Sequence, residues 1–193
     1  MTAKIVMLII MTLIAAVWVV RHIHISIVNR RGPFIRKGIS PASIENPPFV
    51  SIIVPARNEE HNIVKCLESI FAQDYPRLEV LVVNDRSQDE TASAVESFIA
   101  SQKGKSRIIC SLINIKELPD GWTGKTFALH TGSRSAKGDW LLFVDADTRH
   151  DGSNVSQAME YVTREKVDML SLIPGLETRT FWEKTMQPLM GVY

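Results

Sequence analysis

Two aspartates one residue apart, Asp145 and Asp147, follow the apolar run Trp140-Leu-Leu-Phe-Val144. Carboxylate oxygens are hard donors suited to Mg2+ or Mn2+, which take one or two protein carboxylates together with phosphate oxygens. Where a buried strand gives way to a turn, positions i and i+2 can be brought toward one site. The competing reading is turn chemistry, with Asp147 forming an Asx turn toward Arg149. Two more polar clusters close apolar runs. Pro55-Ala-Arg-Asn-Glu59 follows Phe49–Val54; Pro55 is expected to end that strand, and Arg57, Asn58 and Glu59 then present donors and acceptors. Asn84-Asp-Arg-Ser-Gln-Asp89 follows Leu78–Val83. Asp85, nearest the end of that run, is the residue to accept hydrogen bonds from a nucleobase or ribose. Ser87 or Asp89 can cap the next helix, and Asp89 is favoured for that role.

Strand-like and helix-like segments alternate around these clusters. The pattern predicts strands at Phe49–Val54, Leu78–Val83, Arg107–Ile113 and Trp140–Val144, and helices at about Glu60–Phe71, Asp89–Ile99, Lys125–Ser135 and Asn154–Arg164, with Asn58 or Glu59 as cap of the first helix. A short run at Asp168–Ile173 completes the series. Alternation of this kind predicts a doubly wound α/β sheet, mostly parallel, with the nearly all-apolar Trp140–Val144 in a central position. Open α/β sheets bind ligands at the carboxyl ends of their strands, where all three polar clusters fall.

Upstream, Ile5–Val20 carries no charge, and Thr12 is its one polar residue. A bilayer crossing needs ~20 apolar residues. Residues 1–28 read as a transmembrane and interfacial anchor, and residues 29–48, punctuated by Gly32, Pro33, Gly38, Pro41, Pro47 and Pro48, as a linker. Arg21, Arg30, Arg31, Arg36 and Lys37 follow the span and only Lys4 precedes it. The positive-inside rule then predicts a single span in the cell (inner or plasma) membrane, with residues 49–193 in the cytoplasm. The 22 basic and 21 acidic residues leave a net charge of +1, which argues against a nucleic-acid partner. Cys66 and Cys110 lack CxxC spacing and read as buried thiols in a reducing compartment. His22, His24, His61, His130 and His150 are too scattered to suggest a separate metal site.

As a set, Ser51-Ile-Ile-Val-Pro-Ala-Arg-Asn-Glu-Glu60, Val82-Val-Asn-Asp-Arg-Ser-Gln-Asp-Glu-Thr91 and Phe143-Val-Asp-Ala-Asp-Thr148 resemble the successive signatures of family 2 glycosyltransferases, enzymes of the GT-A (nucleotide-diphospho-sugar transferase) fold. The resemblance covers about Phe49 to Leu172. Gly121-Trp-Thr-Gly-Lys-Thr126 and Phe181-Trp-Glu-Lys184 further resemble membrane-bound members associated with hopanoid and carotenoid glycosylation. The resemblance implies a nucleotide-sugar donor held by Pro55, Ala56, Arg57, Glu59, Asp85, Ser87, Lys125, Asp145 and Ala146. It implies a divalent metal, Mg2+ or Mn2+, at Asp145 and Asp147, and a lipid or isoprenoid acceptor. It also implies inverting transfer with a carboxylate base.

Two departures from the family pattern qualify this reading. Arg86 stands where the family more often has glycine, so a different turn is expected there. The region in which the family places its base and acceptor site has no counterpart up to Tyr193. The chain therefore reads as a domain incomplete at its C-terminus, with the base beyond Tyr193. Glu177 and Glu183 are carboxylates without a motif, and Phe181–Met190 reads as an amphipathic helix against a membrane. The alternatives are a membrane-tethered nucleotide-sugar-binding module, an inactive fragment, or a P-loop nucleotidase built on Pro119-Asp-Gly-Trp-Thr-Gly-Lys-Thr126, where Pro119 replaces the first glycine.

Overall fold

The computed structural model describes residues 2–31, 46–172 and 180–182. They fall into two units: the N-terminal helix with the residues past Leu170, and an α/β unit ending at Leu170.

The N-terminal helix α1 (Thr2–Arg31) has 30 residues and so spans about 45 Å. Its segment Lys4–Arg21, none of it buried, is long and apolar enough to cross a membrane by length and composition. The Thr12 hydroxyl donates to the Leu8 carbonyl at 2.8 Å, so the one polar side chain of the stretch is satisfied inside the helix. The Arg21 guanidinium sits 5.3 Å over the Trp18 ring. The helix runs on through Asn29–Arg31, where the linker was expected to begin. Residues 32–45 of that linker lie outside the described residues, as do Glu177, Glu183 and most of Phe181–Met190.

In the α/β unit the predicted alternation is present. The elements are β1 (Val50–Ala56), α2 (Ile63–Phe71), β2 (Leu78–Asp85), α3 (Thr91–Gln102), β3 (Ile109–Ile115), α4 (Gly124–Ser135), β4 (Trp140–Phe143) and α5 (Asn154–Glu165). All strand pairs are parallel, in the order β3-β2-β1-β4. After β1, β2 and β3 the chain reverses its direction across the sheet and returns to the far side of β1. The gap between β1 and β4 is therefore the topological switch point, where α/β sheets leave a crevice for a ligand.

Every residue of β2 is buried, and so is all of β1 except Pro55. Such strands need cover on both faces. Val50, Ile52, Val54 and Ala56 pack with Ile63, Cys66, Leu67 and Ile70 of α2, Val95 and Phe98 of α3, and Val155, Met159 and Val162 of α5. Ile53, Leu81 and Val83 face the other way, under Ala128 of α4. The amino end of the sheet is tied by a buried carboxylate. Ser51 Oγ and the Lys137 N–H donate to Glu79 Oε1 at 2.5 and 2.7 Å, and the Gly138 N–H donates to Ser51 Oγ at 2.8 Å.

Several expectations are corrected. Pro55 does not end β1: Pro55 and Ala56 continue in register with Val83 and Asn84 of β2. Backbone groups along a strand alternate sides. The Ile53 carbonyl accepts from Val144 on the β4 side, so Pro55, two residues on, also faces that side, beyond the last β4 pairing at Phe143. Its missing N–H removes no ladder bond. Among the described residues β4 lies at the sheet edge and is not central. Trp140 and Leu142 pack against the larger core, whereas Leu141 and Phe143 are 40% and 51% exposed. The apolar composition of this strand therefore marks neither a covered second face nor a paired second edge. Helix α2 starts at Ile63, after a turn in which Glu59 O accepts from the N–H groups of Asn62 and Ile63. Strand β3 lies two residues later than expected, and residues 168–172 form no regular element.

Candidate active site

The carboxyl ends of β1, β2 and β4 and the start of α4 enclose a cleft of about 320 Å³. That volume suits a small molecule. It is lined by Pro55, Ala56, Arg57 and Glu59 from β1 and its loop, Asp85 at the tip of β2, Gly124, Lys125 and Ala128 from α4, and Asp145, Ala146 and Asp147 after β4. Of the residues expected at a donor and metal site, all but Ser87 line the cleft. Ser87 stands behind the wall, its hydroxyl accepting from the Asn58 N–H at 3.0 Å. Gly124 and Ala128 were not expected. The signal for Gly124 was the glycine directly before Lys125 in Gly121-Trp-Thr-Gly-Lys-Thr126.

One wall is made of two loops bonded to each other. Asn58 has a left-handed backbone, φ +57°, which asparagine tolerates, and its Oδ1 accepts from the Gln88 N–H at 2.9 Å. The Glu59 N–H donates to Thr91 Oγ1 at 2.8 Å, the Glu60 N–H to Asp89 Oδ2 at 3.2 Å, and the Glu90 N–H to Glu60 Oε2 at 3.0 Å. The N-cap of α3 is Glu90, without a side-chain cap bond, and Asp89, expected as the cap, instead ties the two loops. Its Oδ1 accepts from the Thr91 N–H and hydroxyl while Oδ2 holds the neighbouring loop. Desolvation raises the Asp89 pKa, but these hydrogen bonds outweigh it and leave the group below the ordinary carboxylate value.

Asp85 is buried at the bottom of this wall. Arg86 Nε donates to its Oδ1 at 2.8 Å, and Arg57 Nη1 lies 3.8 Å from Oδ2. The turn at Arg86 keeps a positive φ of +53° despite the side chain, contrary to expectation. A left-handed residue other than glycine costs roughly 1–2 kcal/mol. The guanidinium's bond to the buried carboxylate of the preceding residue offsets part of that cost.

Across the cleft, Lys125 Nζ lies 2.7 Å from Asp145 Oδ1. The Asp145 carbonyl accepts from the Thr148 N–H and hydroxyl at 3.1 and 2.7 Å. The turn after β4 is thus closed by Asp145's backbone and not by an Asx turn at Asp147, whose exposed side chain is left facing the cleft. Cys66 lies below, its Sγ 3.7 Å from the same carbonyl. Burial, reinforced by the charge of Asp147, pushes its thiol up to about 12. His150 is held between Thr148 Oγ1 and Asn154 Nδ2, each 3.1 Å from a ring nitrogen, and burial lowers its pKa.

Helix α4 opens on the cleft without a side-chain cap at Thr123. Trp122 packs against Phe127 and His130 of this helix, with ring centroids 5.4 and 5.0 Å apart. Lys125 directs its ammonium at a carboxylate, and residues 116–123 separate β3 from the helix, an arrangement unlike a P-loop. Among the described residues no three His, Cys, Asp or Glu side chains cluster as a metal cage. A cation at Asp145 and Asp147 would take its remaining ligands from phosphate or water, the coordination Mg2+ prefers.

Comparison with known proteins is consistent with this geometry. The family profile described as Glycosyl transferase family 2 matches residues 51–189. A 4,4′-diaponeurosporenoate glycosyltransferase of Staphylococcus aureus (strain MRSA252) is 33% identical over 141 residues, 72% of this chain and 35% of that protein. The chain thus spans about a third of the length of the curated relatives it matches. Among solved structures, the mannosyltransferase PcManGT of Pyrobaculum calidifontis, in complex with GDP-Man and Mn2+, has a TM-score of 0.54 and 31% identity, covering 65% of this chain and 34% of that one. S. aureus TarS 1-349 in complex with UDP-GlcNAc has a TM-score of 0.50 and 27% identity, covering 68% of this chain and 37% of that one.

Proposed function

Because the chain belongs to glycosyl transferase family 2, we propose that its cleft binds a nucleotide-sugar donor for transfer of the sugar to a lipid or isoprenoid acceptor at a membrane. The observation that carries this reading is the meeting of three strand ends at the switch point, with Asp85 on one side of the cleft and Asp145 and Asp147 on the other. Asp85 and the Pro55–Glu59 segment receive the nucleobase and ribose. Asp145 and Asp147 would hold a divalent cation, Mg2+ or Mn2+, which when bound would supply positive charge for the leaving diphosphate. The uncapped start of α4 and Lys125 add positive potential at the same place. The GDP-Man and Mn2+ of the mannosyltransferase complex support the donor class and the metal.

The acceptor class is supported by the relative named for 4,4′-diaponeurosporenoate and by the apolar helix α1, which would hold the domain at the cytoplasmic face of the membrane. Transfer with inversion is the expected outcome. The reading assigns the acceptor-side base to none of the described residues. A binding module without turnover is distinguished by assaying sugar transfer itself.

The test is calorimetric titration of UDP-sugar and GDP-sugar into the protein with and without Mn2+. Binding is expected only with the metal, and Asp147→Asn, which keeps size and removes charge, is expected to lose the donor binding that Mn2+ confers. Donor binding by Asp147→Asn with an unchanged response to Mn2+ would remove Asp147 from the metal site.

A further inference from the structure

Lys125 and Asp145 form an ion pair across the cleft, yet both side chains are more than half exposed. A pair so placed contributes little to folding. Its position matters more than its strength, because it occupies one of the two carboxylates a divalent cation would need. Lys125 belongs to the first turn of α4, whose uncapped N–H groups open on the same space. Its ammonium is a point charge on a flexible four-carbon stem, able to change partner by rotamer change alone. The backbone around it is fixed, since Gly124 abuts Asp85 and Ala128 is buried against the sheet.

We propose that Lys125 is an exchangeable latch, paired with Asp145 until a divalent cation takes that carboxylate, and turned then to the donor's diphosphate. The inference rests on the proposed function and adds coupling to it. The cation frees the ammonium for the phosphates, and the phosphates keep the ammonium from returning to Asp145. Each ligand thereby strengthens the other, by the same factor in both directions. Lys125 is in this sense a positioning residue for the metal as well as a contact for the donor.

Lys125→Ala and Lys125→Gln test this in the whole chain, with Lys105→Ala, in the exposed turn after α3, as a charge control. Free Mn2+ is counted by electron paramagnetic resonance in nucleotide-free protein, and UDP and GDP are titrated by calorimetry at saturating Mn2+. Both Lys125 variants are expected to bind Mn2+ alone roughly two- to fivefold more tightly, the scale of an exposed ion pair. They are expected to bind the nucleotide about tenfold more weakly, the scale of a charge-assisted hydrogen bond. Damage to the fold would weaken both ligands, so opposite signs are the signature of the latch. Unchanged or weaker Mn2+ binding, unchanged nucleotide binding, or the same shifts in Lys105→Ala overturn the latch alone. If the unsubstituted protein binds neither nucleotide with Mn2+, the proposed function falls, and the latch with it.

Discussion

Gly124 and Asp85 meet so closely that a β-carbon at residue 124 would overlap the Oδ2 atom of the aspartate. The start of α4 is thereby seated on the tip of β2. The carboxylate is enclosed by backbone on one side and by the Arg86 and Arg57 guanidiniums on the others.

Gly124→Ala should separate fold from function. Overpacking costs about 1–3 kcal/mol, and replacing glycine in a helix returns about 0.5–1 kcal/mol. The net loss in urea unfolding is expected at about 0–2.5 kcal/mol. Nucleotide affinity, read by calorimetry, should drop about tenfold or more because Asp85 must move. Full nucleotide affinity in this variant would mean that the Asp85–Gly124 contact plays no part in the site.

Thr91→Val tests the bonded loops. The Thr91 hydroxyl is buried, donates to Asp89 and accepts from the Glu59 N–H. Valine keeps the shape and leaves a backbone N–H and a carboxylate oxygen short of a partner, a loss of about 1–3 kcal/mol. The midpoint in urea should fall with an unchanged slope. An unaltered midpoint would show that water replaces the hydroxyl at no cost.

The alternation of strands and helices, and the cleft at their carboxyl ends, were readable because periodicity and polarity are local properties of the chain. What escaped depends on neighbours distant in sequence. Whether Pro55 breaks β1 depends on which side its missing N–H faces, and that is set by where β4 stops pairing. Whether Trp140–Phe143 is central depends on a second partner strand, which its own composition does not encode. Arg86 was expected to disrupt the turn because φ preference is local, whereas its compensation comes from a buried carboxylate. The sequence points to Asp89 as a cap because the helix after it is visible there, whereas the N-cap is Glu90 and Asp89 holds the distant loop at Glu60.

The thiols give a pH dependence with a defined sign. Burial raises both Cys66 and Cys110 from an ordinary value near 9 to about 12. In the unfolded chain these thiols ionise first, so the folded state holds more protons between those values. Stability should be at its full value below about pH 8.5, the unperturbed thiol range, and decline as pH rises above it. Thermal unfolding between pH 7 and 10 checks the slope. Iodoacetamide should leave Cys66 unmodified at pH 9 until urea unfolds the chain, and rapid native labelling of Cys66 would contradict its burial.

The hydrogen bonds between the loop after β1 and the loop after β2 also bear on the entropy of recognition. Loops that line a ligand site commonly order only when the ligand arrives, and that ordering is subtracted from the affinity. Here Asn58, Glu59, Glu60, Gln88 and Glu90 commit their backbone N–H groups to protein acceptors of the opposite loop and none to the cleft. The conformational freedom of this wall is surrendered during folding. A molecule entering beside it meets amides already bonded within the protein, and its own affinity is not reduced a second time for ordering them.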